Sequence, residues 1–408
     1  MRLRGGFGKQ GWVAAAALAG SAVALPPVAQ IAAAQTVKVG IILSYSGSFA
    51  EQGEEIDRGL KLYLKEHEKD LPPGVKVELV TRDDTGPNPE LAKRLAQELI
   101  TREHVQLLAG EVLSPNAAAI APLTAEAKVP FVLMNAAGVS IPRMSPYVVR
   151  VSFTQWQMSM PMGEWAAENG IKSAHIAVTD FIAGHDAEGG FTKGFTDHGG
   201  KILGTTYFPV TNPDYVPLLQ RIKDAKPEAV FMFMPGGKQA TAAMKAWSDL
   251  GMKEAGIKLV TLQDVMIDDE LPNMGELPLG VVSSGSYSTA ANRPANKAFL
   301  AMWNQEYGPQ AIPDFFTIGG WDGMAAIVDL VKATKGKFTA DEAMDFLKNW
   351  KNPDSPRGPI MIDPNTRDII QNIYIRRVEK QDDGKLANIE FATFPMVKDP
   401  WKELNPPK

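Results

Sequence analysis

Residues 37–43 read Val37-Lys38-Val39-Gly40-Ile41-Ile42-Leu43, a short apolar run that predicts a buried β-strand. A turn-rich loop follows it, and then one apolar helix face at Ile56, Leu60 and Leu64. The same alternation of strand and helix continues to residue 133, restarts near residue 155 and runs to residue 262. Strands alternating with helices are typical of parallel sheets made of βαβ units, so the sequence predicts two doubly wound α/β units.

Residues 280–394 depart from this rhythm. One strand is predicted at 280–286, and helices are predicted at about 295–307, 314–335 and 340–350, before three short antiparallel strands. Three helices with little sheet of their own would cover the faces of the first two units more easily than they would form a third domain. We therefore expect the chain to cross between the two units more than once.

The composition excludes several classes of protein. The 408 residues include no cysteine, so no disulfide, thiolate metal site, iron–sulfur cluster or cysteine nucleophile can form. The formal charge of -5 argues against non-specific attraction to nucleic acid or anionic lipid. Motifs of nucleotide binding, zinc peptidases and serine hydrolases are missing, and the five histidines are scattered without a ligand-pair spacing. We expect no cofactor, no metal and no catalytic residues.

Residues 1–34 have the composition of an export signal. A basic start, Met1–Lys9, precedes an apolar stretch, Trp12–Leu25, and small residues lead to a cleavage point after Ala34. A membrane anchor is the alternative, but Pro26-Pro27 ends the apolar run before it could span a bilayer. Without cysteine there is no site for lipoprotein attachment. The sequence predicts a mature protein that is free in the periplasm and has no direct membrane anchor.

The loops that follow the predicted strands of the first unit hold polar but uncharged groups. They contain Tyr45 and Ser46, then Ser114 before Pro115, and a loop of small residues at 134–138. Since ligands bind beyond the carboxyl ends of parallel strands, these loops are candidates for a binding site. Ser114 and Pro115 have the composition of a helix start, whose N–H groups and dipole favour a small anion. The alternative is that Ser114 only caps its own helix.

The corresponding loops of the second unit hold aromatic side chains and an acid. Trp156 and Phe181 lie near strand ends, Asp264 follows a strand, and Tyr287 follows the last strand of the second run. Such a set would close over a small, partly apolar ligand. The alternative for each aromatic residue alone is a place in the core.

Taken together, the chain resembles the leucine/isoleucine/valine-binding family of periplasmic solute receptors, which supply ABC importers. The resemblance covers residues 36–408 and rests on the order of several short features: the export signal, the strand at 37–43 with Ser46-Gly47 and Gly53, Asp83-Asp84, Gly110 with Ser114, and Val129-Pro130-Phe131-Val132. It implies the class I periplasmic binding protein fold, in which two Rossmann-like α/β lobes are joined by three crossovers and the ligand lies in the cleft. The implied lobes are residues 36–153 plus 285–352, and residues 154–284 plus 353–408.

The resemblance also implies roles for individual residues. Ser114 corresponds to the serine that holds a ligand carboxylate, Asn135 and Ala137 to further contacts, and Asp264 to the acid that receives an amino group. Residues 133–137 read Leu133-Met134-Asn135-Ala136-Ala137, without the threonine hydroxyl of amino-acid binders. That departure favours an aromatic or other hydrophobic carboxylate. The full predicted site is Tyr45, Ser46, Ser114, Asn135, Ala136, Ala137, Trp156, Phe181, Asp264 and Tyr287.

The function expected on these grounds is a non-enzymatic, monomeric receptor. It would capture a small carboxylate with a hydrophobic or aromatic body by hinge closure and deliver it to an inner-membrane ABC permease. Three alternatives stay open: a receptor for branched-chain or aromatic amino acids, a receptor that signals to a sensor protein, and a secreted α/β enzyme.

Overall fold

The structure is a computed structural model that describes residue 11 and residues 35–406. The predicted export signal, apart from Gly11, lies outside the described residues. No helix of the described part combines the length and the apolar character needed to cross a bilayer.

The described chain contains fourteen strands, twelve α-helices and three short 3-10 helices. The strands are β1 Gln35–Leu43, β2 Val75–Asp83, β3 Leu107–Gly110, β4 Phe131–Leu133, β5 Val148–Arg150, β6 Ser173–Thr179, β7 Lys201–Phe208, β8 Ala229–Phe233, β9 Lys258–Leu262, β10 Val282–Gly285, β11 Lys351–Asn352, β12 Ile360–Ile362, β13 Ile369–Lys380 and β14 Leu386–Val397. The helices are α1 Ala50–His67, α2 Pro89–Thr101, α3 Ser114–Ala127, α4 Gln155–Glu168, α5 Ile182–Asp197, α6 Tyr215–Asp224, α7 Lys238–Asp249, α8 Leu271–Met274, α9 Pro294–Tyr307, α10 Phe315–Thr334, α11 Ala340–Leu347 and α12 Pro400–Leu404.

The strands form two sheets. The first is wholly parallel and has the order β2-β1-β3-β4-β5. The second has a parallel part, β10-β9-β8-β6-β7, which β13 extends in the antiparallel direction together with β11, β12 and β14. Both sheets thus have the βαβ pattern that the sequence predicted, and the α/β class is confirmed.

Helices cover both faces of the first sheet. In β1, Val39 and Ile41 belong to the core that includes residues of α1 and α10, whereas Ile42 belongs to the core that includes residues of α2 and α3. This explains why β1 is almost continuously apolar, since a strand buried on both faces has no solvent side. The second sheet is built alike, with α4 and α5 on one face and α6 and α7 on the other.

The chain passes between the two sheets three times, at residues 151–154, 286–293 and 348–350. On the second passage it leaves β10 and forms α10, which packs against α1 beside the first sheet. The third passage returns it to β11 of the second sheet. The helices of the irregular third section therefore cover a sheet formed earlier in the chain, as expected. The exact lobe boundaries stay a prediction.

Several predicted element bounds need correction. The strand β5 was not predicted, and α5 begins at Ile182, only three residues after β6 ends at Thr179. The helix α1 begins at Ala50, ahead of its apolar face. Three buried residues are too few for periodicity to reveal β5.

Candidate functional site

A cavity lies where the carboxyl ends of strands from the two sheets face each other. The cavity is nearly closed in this structure: its volume is about 20 Å³, room for about one water molecule and far below the ~300–1,000 Å³ typical of small-molecule sites. It is lined by thirteen residues: Val112, Leu113, Ser114, Asn135, Ala137, Phe153, Gln155, Phe181, Ala183, Phe233, Pro235, Asp264 and Phe316. The cavity includes Ser114, Asn135, Ala137, Phe181 and Asp264 of the predicted site.

The first wall is the start of α3. The strand β3 ends at Gly110, whose φ is 109° and where a Cβ would lie 2.5 Å from the carbonyl oxygen of Ile42, so the sharp turn requires glycine. The chain then enters α3 at Ser114. The N-terminal N–H groups of such a helix have no partner within the helix and favour an anion.

Ser114 does not cap its own helix. Leu113 occupies the N-cap position without a side-chain hydrogen bond, and the Ser114 Oγ instead accepts a hydrogen bond of 3.0 Å from the backbone N–H of Gly138. Because the Oγ accepts there, its own proton can be donated elsewhere, and the side chain lines the cavity. The interpretation of Ser114 as only a cap is therefore wrong.

The loop at 134–138 is held in place on both sides. Asn135 Nδ2 donates to the carbonyl of Val112 at 2.7 Å, and Arg150 donates to the carbonyls of Ala136 and Gly138. Any Cβ at Gly138 would lie 2.8 Å from Ile182 and 3.2 Å from the Ser114 Cβ. The loop therefore presents Asn135 and Ala137 to the cavity in a fixed geometry.

The rest of the lining is largely aromatic. Phe181, just before α5, stacks on Phe233 at the end of β8, with ring centroids 6.0 Å apart and planes inclined by 13°. Phe153 lies at the first passage between the sheets, and Phe316 lies in the first turn of α10. Four phenyl rings thus surround the space beside Ser114.

Asp264 is the one ionisable group among the residues that line the cavity. Only 4% of it is exposed, and burial raises the pKa of its carboxyl to about 7, although Arg376 and Gln155 act in the opposite direction. Its Oδ2 has no hydrogen-bond partner among the described residues. The cavity therefore combines the Ser114 hydroxyl and the helix N-terminus on one wall with one acid, unpaired at its Oδ2, on the other.

Comparison with known proteins identifies the family to which this fold belongs. The family of periplasmic binding proteins matches residues 36–385. The chain belongs to this family. The Leu/Ile/Val-binding protein homolog 6 of Brucella melitensis is 41% identical over 372 residues, which cover 91% of this chain and 95% of that protein.

Two solved structures of binding proteins are also similar. One is a solute-binding protein of an ABC transporter from Rhodopseudomonas palustris in complex with 3,4-dihydroxybenzoic acid; it is 46% identical with a TM-score of 0.86, and the match covers 90% of this chain and 99% of that one. Another from R. palustris, in complex with 4-hydroxybenzoate, is 41% identical with a TM-score of 0.85, covering 89% and 98%. The family and these structures are binding proteins and not enzymes, so the predicted fold and the expectation of a non-enzymatic transport protein are confirmed.

In this binding protein, five predicted contact residues lie away from the cavity, and two of them are in the loop after β1. The hydroxyl of Tyr45 donates to Asp57 at 2.8 Å, and the Oγ of Ser46 donates to Asp83 at 2.6 Å. Both side chains serve the packing of this loop against α1 and the end of β2. Neither residue is among those that line the cavity.

The side chains of the other three make their contacts inside one half of the fold or the other, away from the cavity. Tyr287 is fully buried and donates to Asn296 at 2.9 Å. Trp156 lies against Gly189 of α5, and Ala136 lies in the core beneath the first sheet. Position at a strand end was therefore a good guide to a residue's neighbourhood but not to the direction of its side chain.

Sequence reasoning missed several lining residues. Gln155 lies in the first turn of α4, directly after the first passage between the sheets, and Phe316 lies in the first turn of α10. A signal existed, because both helices have a capping box, Thr154 with Gln157 and Asp314 with Thr317, which marks a helix start. Phe233 had no signal of its own, because its strand is buried throughout.

A larger groove lies elsewhere, at the amino ends of β9 and β10 between Trp165 and Trp247. It contains none of the predicted site residues. Because ligands of open parallel sheets bind at the carboxyl ends of the strands, the cavity at Ser114 is the candidate site.

Carboxyl groups from both halves of the fold lie together beside the cavity. This acidic cluster consists of Glu51 and Glu55 of α1, Asp314 before α10, and Asp269 and Glu270 after β9. Burial, followed by the charges of the neighbouring acids Glu55, Glu270, Glu51 and Asp268, raises the pKa of Asp269 to about 8. Two cations face the cluster. Arg58 lies 2.7 Å from Glu55, and the charge of Lys238 acts to lower the pKa of Glu51.

The free energy of unfolding is expected to fall as the pH rises from about 4 to about 8. Because the folded-state pKa of Asp269 is raised from 3.8 to about 8, the folded protein keeps a proton that the unfolded chain loses. This contribution is complete below about pH 4 and is lost as the pH rises through about 8. Asp269→Asn stays neutral, so its stability should fall less steeply in thermal unfolding of the ligand-free protein. Asp249→Asn, in an exposed ion pair with Lys245, is the control; identical slopes for Asp269→Asn and the wild type would contradict the prediction.

Proposed function

We propose that this protein is the solute receptor of an ABC importer for a small aromatic monocarboxylate. One observation carries the proposal: the cavity joins a helix N-terminus with Ser114 to four phenyl rings, and none of its thirteen lining residues is lysine or arginine. A single carboxylate suits the first part because helix N–H groups bind anions without a cation. A planar apolar body suits the second part.

The aromatic walls supply binding free energy. Burying ~100 Å² of apolar ligand surface at ~25 cal/mol per Å² contributes about 2.5 kcal/mol. Offset or edge-on contacts with Phe181, Phe233 and Phe316 would add to it. The relatives' complexes with 4-hydroxybenzoate and 3,4-dihydroxybenzoic acid support the same ligand class for this chain.

Ligand entry requires the two halves of the fold to separate. Ser114 is 2% exposed, Asn135 8% and Asp264 4%, although they lie on facing walls of the cavity. A solute the size of benzoate therefore reaches them only when the walls move apart. We propose closure by a hinge at the three passages between the sheets, with the closed form presented to the permease.

A branched-chain or aromatic amino acid is the second candidate. Asp264 favours it, because a buried acid could receive an ammonium group. The names of the curated relatives point the same way. The loop at 133–137, without a threonine hydroxyl, favours the aromatic acid.

Thermal unfolding with added ligand separates the two candidates. A ligand present at 100 times its Kd should add ~2.7 kcal/mol of stability. We expect stabilisation by benzoate or its hydroxylated derivatives and not by leucine or phenylalanine. Stabilisation by the amino acids alone would overturn the proposal in favour of the second candidate.

The setting of the receptor belongs to the same proposal. Export would remove residues 1–34 by cleavage after Ala34, and the mature chain would act as a monomer in the periplasm. Its partner would be an inner-membrane permease. The composition of the first 34 residues and membership of the family support these steps.

A further inference from the structure

We infer that Asp264 selects ligands whose ring carries a hydroxyl group remote from the carboxylate. The inference rests on the proposed function and adds what the far wall of the cavity recognises. It assigns Asp264 a role different from receipt of an amino group, which the family resemblance implied.

The first support is an unmet hydrogen bond. Asp264 is 4% exposed, lines the cavity, and its Oδ2 has no partner among the described residues. A buried polar atom without a partner is costly, and native structures generally supply one. Since Asp264 is part of a ligand cavity, the ligand is the natural source of the missing donor.

The second support is the kind of atoms left unpaired around the cavity. Besides Asp264 Oδ2 they are Gln155 Oε1 and Asn135 Oδ1, and both of these are acceptors. The orientation of the Asn135 amide is fixed, because its Nδ2 donates to the carbonyl of Val112. An ionised carboxylate brings only acceptors. A plain benzoate would therefore leave these atoms unpaired, whereas a ring hydroxyl would donate to one of them.

The third support is the charge of the surroundings. The cationic group that acts on Asp264 is Arg376, but its guanidinium already donates to the carbonyl of Tyr287 and to the Oγ of Ser283. The effect of burial on Asp264 is therefore larger than the effect of the Arg376 charge, and the pKa of Asp264 rises to about 7. An acid that is partly neutral near pH 7 suits a neutral hydroxyl, which exchanges a hydrogen bond with either protonation state. A ligand ammonium would need the ionised form.

The surrounding shape agrees with this assignment. Ser114 follows a strand of the first sheet, and Asp264 follows β9 of the second. The phenyl rings of Phe181 and Phe233 line the same space. A benzoate-type ring bound by its carboxylate at Ser114 would direct its remote positions toward the second sheet, where Asp264 lies.

The test compares four ligands by titration calorimetry: benzoate, 4-hydroxybenzoate, 4-methylbenzoate and phenylalanine. The methyl derivative fills the space of the hydroxyl but has no donor. We expect the wild type to prefer 4-hydroxybenzoate over both other aromatic acids by at least ~tenfold, since a site built to bind a hydroxyl rejects analogues that lack it. Asp264→Leu should remove this preference while keeping measurable affinity for benzoate.

Two further variants make the outcome decisive. Asp264→Asn keeps an acceptor and the size of the side chain, so it should keep part of the preference for 4-hydroxybenzoate. It replaces Asp264→Leu in the test if the leucine variant does not fold. Ser114→Ala should weaken the three aromatic acids alike and keep their ranking. Equal wild-type affinity for benzoate and 4-hydroxybenzoate, or a preference that survives Asp264→Leu, would overturn the inference while the proposed function stands. Binding of phenylalanine without any aromatic acid would overturn the proposed function itself.

Discussion

Ser114→Ala is expected to weaken binding of an aromatic monocarboxylate by about tenfold to a hundredfold, with little loss of folded protein. A hydrogen bond to a charged group contributes ~1.5–3 kcal/mol, and the alanine variant cannot donate one to the carboxylate. The Ser114 Oγ is available for this bond because it accepts from the Gly138 N–H and has its own proton to donate. Since Leu113, and not Ser114, is the N-cap residue of α3, the substitution does not remove a helix cap. Titration calorimetry on the folded variant measures the change.

The matched control for this prediction is Ser145→Ala. Ser145 is also buried and its hydroxyl also takes part in a hydrogen bond, at 2.9 Å to Thr124, but it does not line the cavity. Its loss should change stability and leave ligand affinity as it is. An unchanged affinity in Ser114→Ala would show that the carboxylate is held elsewhere.

Arg357→Met is expected to lower the free energy of unfolding by about 3–5 kcal/mol, the range for breaking a buried ion pair by removing one partner. Arg357 is 3% exposed, and its Nε donates at 2.8 Å to Asp322 of α10, which is fully buried. It also donates to the carbonyls of Val151 and Ser152 and to the Oε1 of Gln371. Burial raises the pKa of Asp322 and lowers that of Arg357, so each needs the other in order to stay charged.

The location of this pair gives the prediction its functional interest. Val151 and Ser152 belong to the first passage between the sheets, and Arg357 lies shortly after the third. The pair therefore fixes two of the three connections about which the halves would move. Urea unfolding measures the loss, and Lys245→Met, in an exposed pair with Asp249, should change stability by no more than ~0.5 kcal/mol. Adding Asp322→Leu to Arg357→Met should recover part of the loss, because no unpaired charge then stays buried; a single variant as stable as the wild type would contradict the account.

The fold could be predicted from the sequence because its signals are local and repeated. The buried strands β1, β3 and β4 of the first sheet are apolar runs, and helix starts such as Thr154 before α4 contain their own capping residues. The carboxyl ends of parallel strands necessarily meet at one edge, so Ser114, Asn135 and Asp264 could be placed near one another in advance. Their shared position at the cavity needed no knowledge of long-range contacts.

The remaining features depend on contacts that sequence patterns do not contain. Tyr45 and Tyr287 follow strands as expected, yet their hydroxyls donate to Asp57 and Asn296. The spacing of these residues in the sequence does not predict either hydrogen bond. Phe316 reaches the cavity because α10 packs against α1 across more than two hundred residues of sequence. Arg150, which fixes the loop at 136–138, ends a strand of only three residues.

A crystal structure of the protein with 4-hydroxybenzoate tests the central claim most directly. The account predicts the ligand in the cavity between the two sheets, with a carboxylate oxygen within ~3 Å of the Ser114 Oγ at the start of α3 and the ring against Phe181 and Phe233. A ligand bound outside this cavity, in the groove between Trp165 and Trp247, or bound with its carboxylate turned away from Ser114, would contradict it.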